Sequence, residues 1–310
     1  MASIETEELK RKCRGVQVIL ATPFNESDAL DELGLRRNIR YVLSRGVQIL
    51  TTMGTNSEFF AVSPEEHQRI IKVVVEEARS SNALVVVGTS STSTKVAIEL
   101  SQYAERCGAD AVMVAPPYYM PANPAEILAH YQELNRSVGI GIVLYYMPQV
   151  HRGHMSLQLL SDLASMEKVV GIKWCELDLH PFTTAVRHLG QKITFISGYG
   201  EHLAPYTYML GVNAYSSTIA AYAPEFSVEL HRAGMNQEWD KVMQMALQTF
   251  ELYDFAVRTG VGMALTKEAL KIAGLAAGRL RLPMSSVLTD ADRKQLAQIL
   301  RGFGVSEETM

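Results

Sequence analysis

Three cysteines, Cys13, Cys107 and Cys175, are all that this 310-residue chain contains, and no two of them stand in a Cys-x-x-Cys pair. That excludes a disulfide framework and a cysteine zinc site, and the odd number fits a reducing compartment. No apolar stretch reaches the roughly 18–20 residues needed to cross a bilayer. Residues 1–14 are polar and charged where a secretion signal needs an apolar centre, so the reading is no membrane association and a cytoplasmic location. Lys and Arg number 29 against 33 Asp and Glu, and a net charge of -4 gives no electrostatic reason to seek nucleic acid. Also missing are a Gly-x-x-x-x-Gly-Lys-Ser/Thr loop, a Gly-x-Gly-x-x-Gly turn opening a helix, and a His-Glu-x-x-His pair. Nucleotide, dinucleotide and metal cofactors are therefore not expected. His151 and His154 form one close pair near Arg152, but a metal needs a comparably placed third ligand, and the pair reads as loop polarity.

What is present is material for a large core: 47% of residues are hydrophobic and 20% charged. Short β-rich apolar runs alternate with stretches of helical period. The runs fall at 16–21, 49–53, 84–87, 111–114, 140–145, 169–173, 193–197 and 214–218. Between and after them lie helical patterns at 30–44, 64–79, 94–107, 124–136, 157–164, 179–188, 202–210 and 224–233. Repeated βα units of this number predict an α/β fold, a (β/α)8 TIM barrel over residues 1–233, with a doubly wound open sheet as the alternative. After residue 233 the helical patterns at 237–257, 262–274 and 289–301 have no strands between them. Residues 234–310 are thus expected to form a C-terminal helical extension packed on the barrel. Ser63-Pro64-Glu65-Glu66 has the form of a helix start, and the hydroxyl run from Thr89 to Thr94 is expected to cap the helix after it.

Active sites of such barrels lie at the carboxyl ends of the strands. Lys173 closes the apolar run Val169-Val170-Gly171-Ile172 at such an end. An ammonium is expensive to bury, and burial favours the neutral amine that can attack a carbonyl and form a Schiff base. The segment alone favours a lysine that leaves the strand for solvent, because most lysines are surface residues. Around the same rim fall Gly54-Thr55-Asn56-Ser57-Glu58, Pro116-Pro117-Tyr118-Tyr119, Tyr145-Tyr146-Met147-Pro148 and Gly198-Tyr199-Gly200-Glu201. One lysine, several tyrosines and small donors suit imine chemistry, in which tyrosine moves protons and the donors hold a carboxylate.

Over nearly its whole length the chain resembles the dihydrodipicolinate synthase and N-acetylneuraminate lyase family of class I aldolases and related lyases. The resemblance rests on Val18-Ile19-Leu20-Ala21-Thr22-Pro23-Phe24, Gly54-Thr55-Asn56-Ser57-Glu58, Pro117-Tyr118-Tyr119, Tyr145-Tyr146-Met147-Pro148, Gly171-Ile172-Lys173 and Arg281-Leu282-Pro283, in that order. It implies that Lys173 forms the imine with a pyruvate-like 2-oxo acid, that Tyr145 relays protons with Thr55 bonded to it, and that Tyr119 extends the relay into a neighbouring subunit. A homo-oligomer, dimer or tetramer, is implied with it. Backbone amides at Thr55 and Asn56 would hold the substrate carboxylate.

Several positions depart from the family pattern. Asn56 stands where Thr is usual and Ser57 where Gly is usual, so any angle that relied on Gly must be met by Ser, and a reshaped loop is expected. Lysine-pathway synthases carry an arginine two residues after the proline of the Tyr-Asn-x-Pro motif; here Val150 holds that place, with Arg152 two positions further on as a possible substitute. Gly198-Tyr199-Gly200-Glu201 and Ser216-Ser217-Thr218 look more like the sugar-acid lyase branch, with Glu201, Ser216 and Ser217 as candidate substrate contacts. Glu201 has the alternative of a helix-start acid. The activity implied is carbon–carbon cleavage or formation in a 2-oxo acid, with pyruvate as product or donor. Imine-dependent dehydration or hydration–cleavage of a deoxy sugar acid or an aromatic pyruvate derivative is one alternative, and a catalytically inactive barrel that binds a 2-oxo acid is another.

Overall fold

In the computed structural model, which describes residues 2–285 and 288–305, eight parallel strands close into a barrel in sequence order. They are β1 (Gly15–Ile19), β2 (Ile49–Thr52), β3 (Leu84–Gly88), β4 (Ala111–Val114), β5 (Gly141–Tyr146), β6 (Val169–Trp174), β7 (Thr194–Ser197) and β8 (Ala214–Ser217). β8 returns to β1 with Gly15 beside Ala214 and Val18 beside Ser217, which rules out the open-sheet alternative. Every strand residue is buried, inward ones in the barrel and outward ones under helices. Burial on both faces is why these strands read as unbroken apolar runs. The barrel interior is filled by Ile49, Leu84, Val86, Met113, Val143 and Ile196 among others.

The helix Ala2–Lys12 has no counterpart among the sequence expectations. It carries Lys10–Glu7 and Lys12–Glu8 pairs and offers the barrel little but Leu9, so no apolar stripe announces it. Leu9 and Cys13 pack onto the inward cluster, and Thr194 Oγ1 donates to the Lys10 carbonyl at 2.7 Å, so this segment closes the amino-terminal end of the barrel. The short helix Pro148–His151 was likewise not anticipated.

Local signals were met in different ways. Ser63 and Glu66 form the reciprocal capping box expected at the start of Pro64–Ala78. The hydroxyl run does not cap Thr94–Cys107, because Ser93 makes no side-chain cap bond. Its members tie neighbouring elements instead: Thr89 Oγ1 to Ser101 Oγ at 2.8 Å, Ser90 Oγ to the Ala115 amide at 2.9 Å, and Thr94 Oγ1 to His130 Nδ1 at 2.8 Å. His151 and His154 do more than add polarity to a loop, since they bracket Tyr146, whose hydroxyl lies 3.1 Å from His154 Nδ1.

Beyond Pro224–Met235 come the helices Trp239–Thr259, Ala264–Ile272 and Asp290–Arg301. Trp239–Thr259 lies against the turn Gly200–Leu203 and the helix Ala204–Met209, at the carboxyl end of β7. Of the stretch assigned to the extension, Ser286, Val287 and residues 306–310 lie outside the described residues, as does Met1. No helix among the described residues is long and apolar enough to cross a membrane.

A fully buried ion pair helps fasten the extension to the barrel. Lys267 and Glu58 are buried and salt-bridged, with Lys267 Nζ also donating to the Arg279 carbonyl at 2.8 Å and Glu58 Oε2 accepting from the Arg281 amide at 2.8 Å. Removing one partner of such a pair leaves the other buried and uncompensated. Glu58→Gln is therefore expected to destabilise the protein by about 3–5 kcal/mol, read from urea denaturation. Adding Lys267→Met should recover part of that loss. Equal losses from the single and double variants would show that the pair is not what holds this region.

Candidate active site

β5 and β6 pair with Tyr145 directly beside Lys173, so both side chains point into the barrel from its carboxyl end. Lys173 is 6% exposed, and its Nζ stands 4.7 Å from the centre of the Tyr145 ring. Two lysines are buried to this degree among the described residues. Lys267 has a carboxylate partner in Glu58, whereas no carboxylate of the described residues lies within ion-pair distance of Lys173. Of the two, Lys173 is the amine that no carboxylate engages and that faces the barrel mouth, where a carbonyl could meet it.

The Tyr145 hydroxyl lies 3.2 Å from Thr55 Oγ1. Burial pushes that hydroxyl above the ordinary phenol range, with the charge of Lys173 opposing, so Tyr145 is a protonated donor in the resting site. Cys175, two residues after the lysine on the same inward face, is also raised by burial and remains a thiol. It fits because Gly198 faces it: a Cβ there would come within 2.1 Å of Cys175 Sγ and 2.7 Å of the Trp174 carbonyl oxygen.

Thr55 is placed by the turn after β2. Thr55–Ser57 forms one turn of 3-10 helix, whose first amides, at Thr55 and Asn56, have no acceptor within the turn. The left-handed angles that bend the chain here fall on Met53 (φ 56°) and Glu58 (φ 58°), not on Ser57. The reshaping expected from Ser in place of Gly is thus absent at that angle. Ser57 adds a tie instead, with Oγ donating to the Leu20 carbonyl at 2.5 Å, while Thr22 Oγ1 donates to the Ser57 carbonyl at 2.6 Å. The loop presses so closely on β3 that a Cβ at Gly88 would lie 1.9 Å from the Met53 carbonyl oxygen.

A cavity of about 230 Å³ opens beside Lys173, with Asn56, Tyr199, His202, Ser216 and Tyr253 among its walls. Of the residues singled out in the sequence, Lys173, Asn56, Ser216 and Glu201 reach this cavity, and Thr55 and Tyr145 bond to each other in the barrel mouth beside Lys173. Ser217 does not line it. Alternation along β8 turns Ser217 outward, where its Oγ donates to Glu201 Oε1 at 2.6 Å and accepts from the Ala220 amide at 2.8 Å. Glu201 Oε1 also accepts from Ser227 Oγ at 2.5 Å, so this carboxyl group braces the wall between barrel and helix. Burial raises its pKa, with the two serines opposing. Tyr118 packs edge-on against Phe59, whereas Tyr119 is 74% exposed and has no hydrogen bond or ring contact with another described residue. Arg152 is exposed at the left-handed end of Pro148–His151 and is not a cavity residue. Val150 is 39% exposed on the same short helix.

Three contributors escaped the sequence reading. Lys267 sits on the buried stripe of Ala264–Ile272 with Ala264 and Leu270, and a lysine on an apolar stripe is the signal that could have marked it. Thr249 lies on the equivalent stripe of Trp239–Thr259, where it reaches His202. His202 itself had no local pattern to distinguish it. Among the described residues no group of three or more His, Cys, Asp or Glu side chains is arranged to hold a metal ion.

Residues 12–302 match the dihydrodipicolinate synthetase family. A 4-hydroxy-tetrahydrodipicolinate synthase of Methanosarcina mazei is 30% identical over 294 residues, covering 94% of this chain and 99% of that protein. The dihydrodipicolinate synthase of Oceanobacillus iheyensis superposes with a TM-score of 0.88 at 26% identity, over 97% of this chain and 100% of the other. N-acetylneuraminate lyase of Fusobacterium nucleatum shares the fold with a TM-score of 0.86 at 23% identity, over 94% and 99% of the two chains.

Tyr145→Phe keeps the ring beside Lys173 and deletes the hydroxyl bonded to Thr55. Turnover with the best substrate should fall by about 10²- to 10⁴-fold, the usual contribution of a positioned acid or base, with circular dichroism unchanged. A near-normal rate would assign the proton relay to another group.

Proposed function

The chain belongs to the dihydrodipicolinate synthetase family and is a pyruvate-dependent class I aldolase or lyase, and we propose that Lys173 is its imine-forming residue. The observation that carries this reading is the buried Lys173 amine, without a carboxylate partner, beside Tyr145 at the edge of the cavity. Its amine adds to the 2-oxo carbon of the substrate, and the carbinolamine loses water as Tyr145 supplies the proton. The protonated imine then withdraws electrons. In the cleavage direction the hydroxyl on C4 gives up its proton, the C3–C4 bond breaks, an aldehyde leaves and the electron pair passes to the imine nitrogen as an enamine. Protonation at C3 and hydrolysis release pyruvate and the free lysine.

The unbonded amides of Thr55 and Asn56 are the proposed anchor for the substrate carboxylate, with Ser216 also in the cavity wall. Thr55 holds Tyr145 for the relay. The exposure of Tyr119 supports an assembly, dimer or tetramer, in which this ring meets a neighbouring copy and extends the relay. Its three free cysteines suit a cytoplasmic setting. For the second half of the substrate we propose a neutral or hydroxylated group. Val150 offers no charge, Arg152 is exposed and does not line the cavity, and a buried carboxyl group, Glu201, stands in the wall. An unpaired anionic tail would lose its hydration without gaining a partner.

Borohydride reduction in the presence of pyruvate should attach a reduced adduct to the peptide carrying Lys173 and none to the peptide carrying Lys267. An adduct elsewhere would reject the assignment. With pyruvate as donor, aspartate semialdehyde should be a poor acceptor beside neutral hydroxyaldehydes. Efficient condensation with aspartate semialdehyde would overturn the substrate reading and leave the imine reading standing.

A further inference from the structure

His202 lines the Lys173 cavity from the turn Gly200–Leu203, and its ring is held on three sides. It stacks on Phe250 with 4.8 Å between ring centres and 5° between planes, and Tyr253 meets it edge-on at 5.1 Å. Its Nδ1 is hydrogen-bonded to Thr249 Oγ1. The direction of that bond follows from what Thr249 does with its single proton. Thr249 Oγ1 donates to the Ala246 carbonyl oxygen at 2.6 Å, and a carbonyl can only accept. The hydroxyl oxygen is therefore left as an acceptor toward the imidazole, so Nδ1 carries the hydrogen. In the neutral ring Nε2 is then a bare lone pair, and no described residue hydrogen-bonds it. Burial holds His202 below the ordinary histidine range, with the Asp254 carboxylate opposing, which keeps the ring neutral at physiological pH.

We propose that His202 Nε2 is the specificity-determining acceptor for a hydroxyl on the aldehyde-derived half of the substrate, so that the enzyme selects hydroxyaldehydes, and the longer hydroxylated 2-oxo acids made from them, over their deoxy counterparts. The inference rests on the reading of Lys173 as the imine former, because it takes the second half of the substrate to occupy the cavity beside that lysine. An acceptor without a proton discriminates in two directions. It welcomes a hydroxyl donor, and it repels a carboxylate, which has no hydrogen to offer. Thr249 is a positioning residue: it fixes which nitrogen carries the hydrogen, without itself being required to touch the substrate.

The experiment compares kcat/KM for glycolaldehyde and acetaldehyde as acceptors with pyruvate as donor, in wild type, His202→Phe and His202→Gln. The Phe variant keeps an aromatic ring between Phe250 and Tyr253, and the Gln variant restores an oxygen acceptor near the Nε2 position. The glycolaldehyde-to-acetaldehyde preference should fall about tenfold in His202→Phe, the scale of one hydrogen bond to a desolvated group, and return in part in His202→Gln. Borohydride trapping of pyruvate should be unchanged in both variants. An unchanged preference with intact trapping would overturn the inference about His202 alone, whereas loss of trapping on Lys173 in the wild type would overturn the imine reading beneath it. The imidazole 15N shifts of His202 give an independent check: they should report the Nδ1-protonated tautomer in wild type and lose that preference in Thr249→Val. An Nε2-protonated ring in the wild type would also overturn the inference.

Discussion

The buried pair between Glu58 and Lys267 is the constraint on which the site depends. Glu58 follows directly on the turn that carries Thr55, and it holds a left-handed backbone angle to do so. Its carboxylate grips Lys267 and the Arg281 amide, both from the far end of the chain. Arg281 in turn clamps Glu66 with both terminal nitrogens, at 2.6 and 2.7 Å, and Glu66 belongs to the capping box that starts the next helix. Phe24 is caught between the two cations, 4.3 Å from Lys267 Nζ and 3.8 Å from Arg281 Cζ. Barrel start, active-site turn and extension are thereby locked to one another. The position of the Thr55 hydroxyl against Tyr145 is an outcome of that lock.

The same pair separates the two buried lysines by role. Both have a ring nearby, Tyr145 for Lys173 and Phe24 for Lys267, so proximity to an aromatic face does not distinguish them. The carboxylate does. A charge matched by a buried partner is a fastening, and removing the partner exposes how expensive it is. Lys173, in a similar setting, has no such fastening among the described residues. Ser57 shows the complementary lesson for the loop: the residue expected to disturb the backbone is not at the strained angle, and its hydroxyl strengthens the link to Leu20.

The barrel was legible because parallel strands buried on both faces leave continuous apolar runs, and all eight such runs correspond to strands. Lys173 and Tyr145 were legible for a related reason, as polar groups closing two of those runs. Elements that contribute through a single contact were not. Ala2–Lys12 meets the inward cluster mainly through Leu9, and Pro148–His151 is one turn long, so neither has a period to detect. The Thr89 to Thr94 run misled because hydroxyls serve helix starts and inter-element bonds equally well, and which one wins is decided by what lies opposite, here Ser101, Ala115 and His130. Ser217 was misplaced by one step of strand alternation, which sends neighbours to opposite faces.

The helix Trp239–Thr259 meets the cavity through Thr249, Leu252, Tyr253 and Ala256, none of which is hydrogen-bonded to Lys173. Lys173 and Tyr145 stand on strands in the sequence's first two thirds, while part of the wall of the cavity comes from one face of a later helix. The molecule is in that respect a fixed frame with an interchangeable faceplate: residues on that helix face can change the shape of the cavity without belonging to the strands that carry Lys173 and Tyr145 or to the turn that carries Thr55.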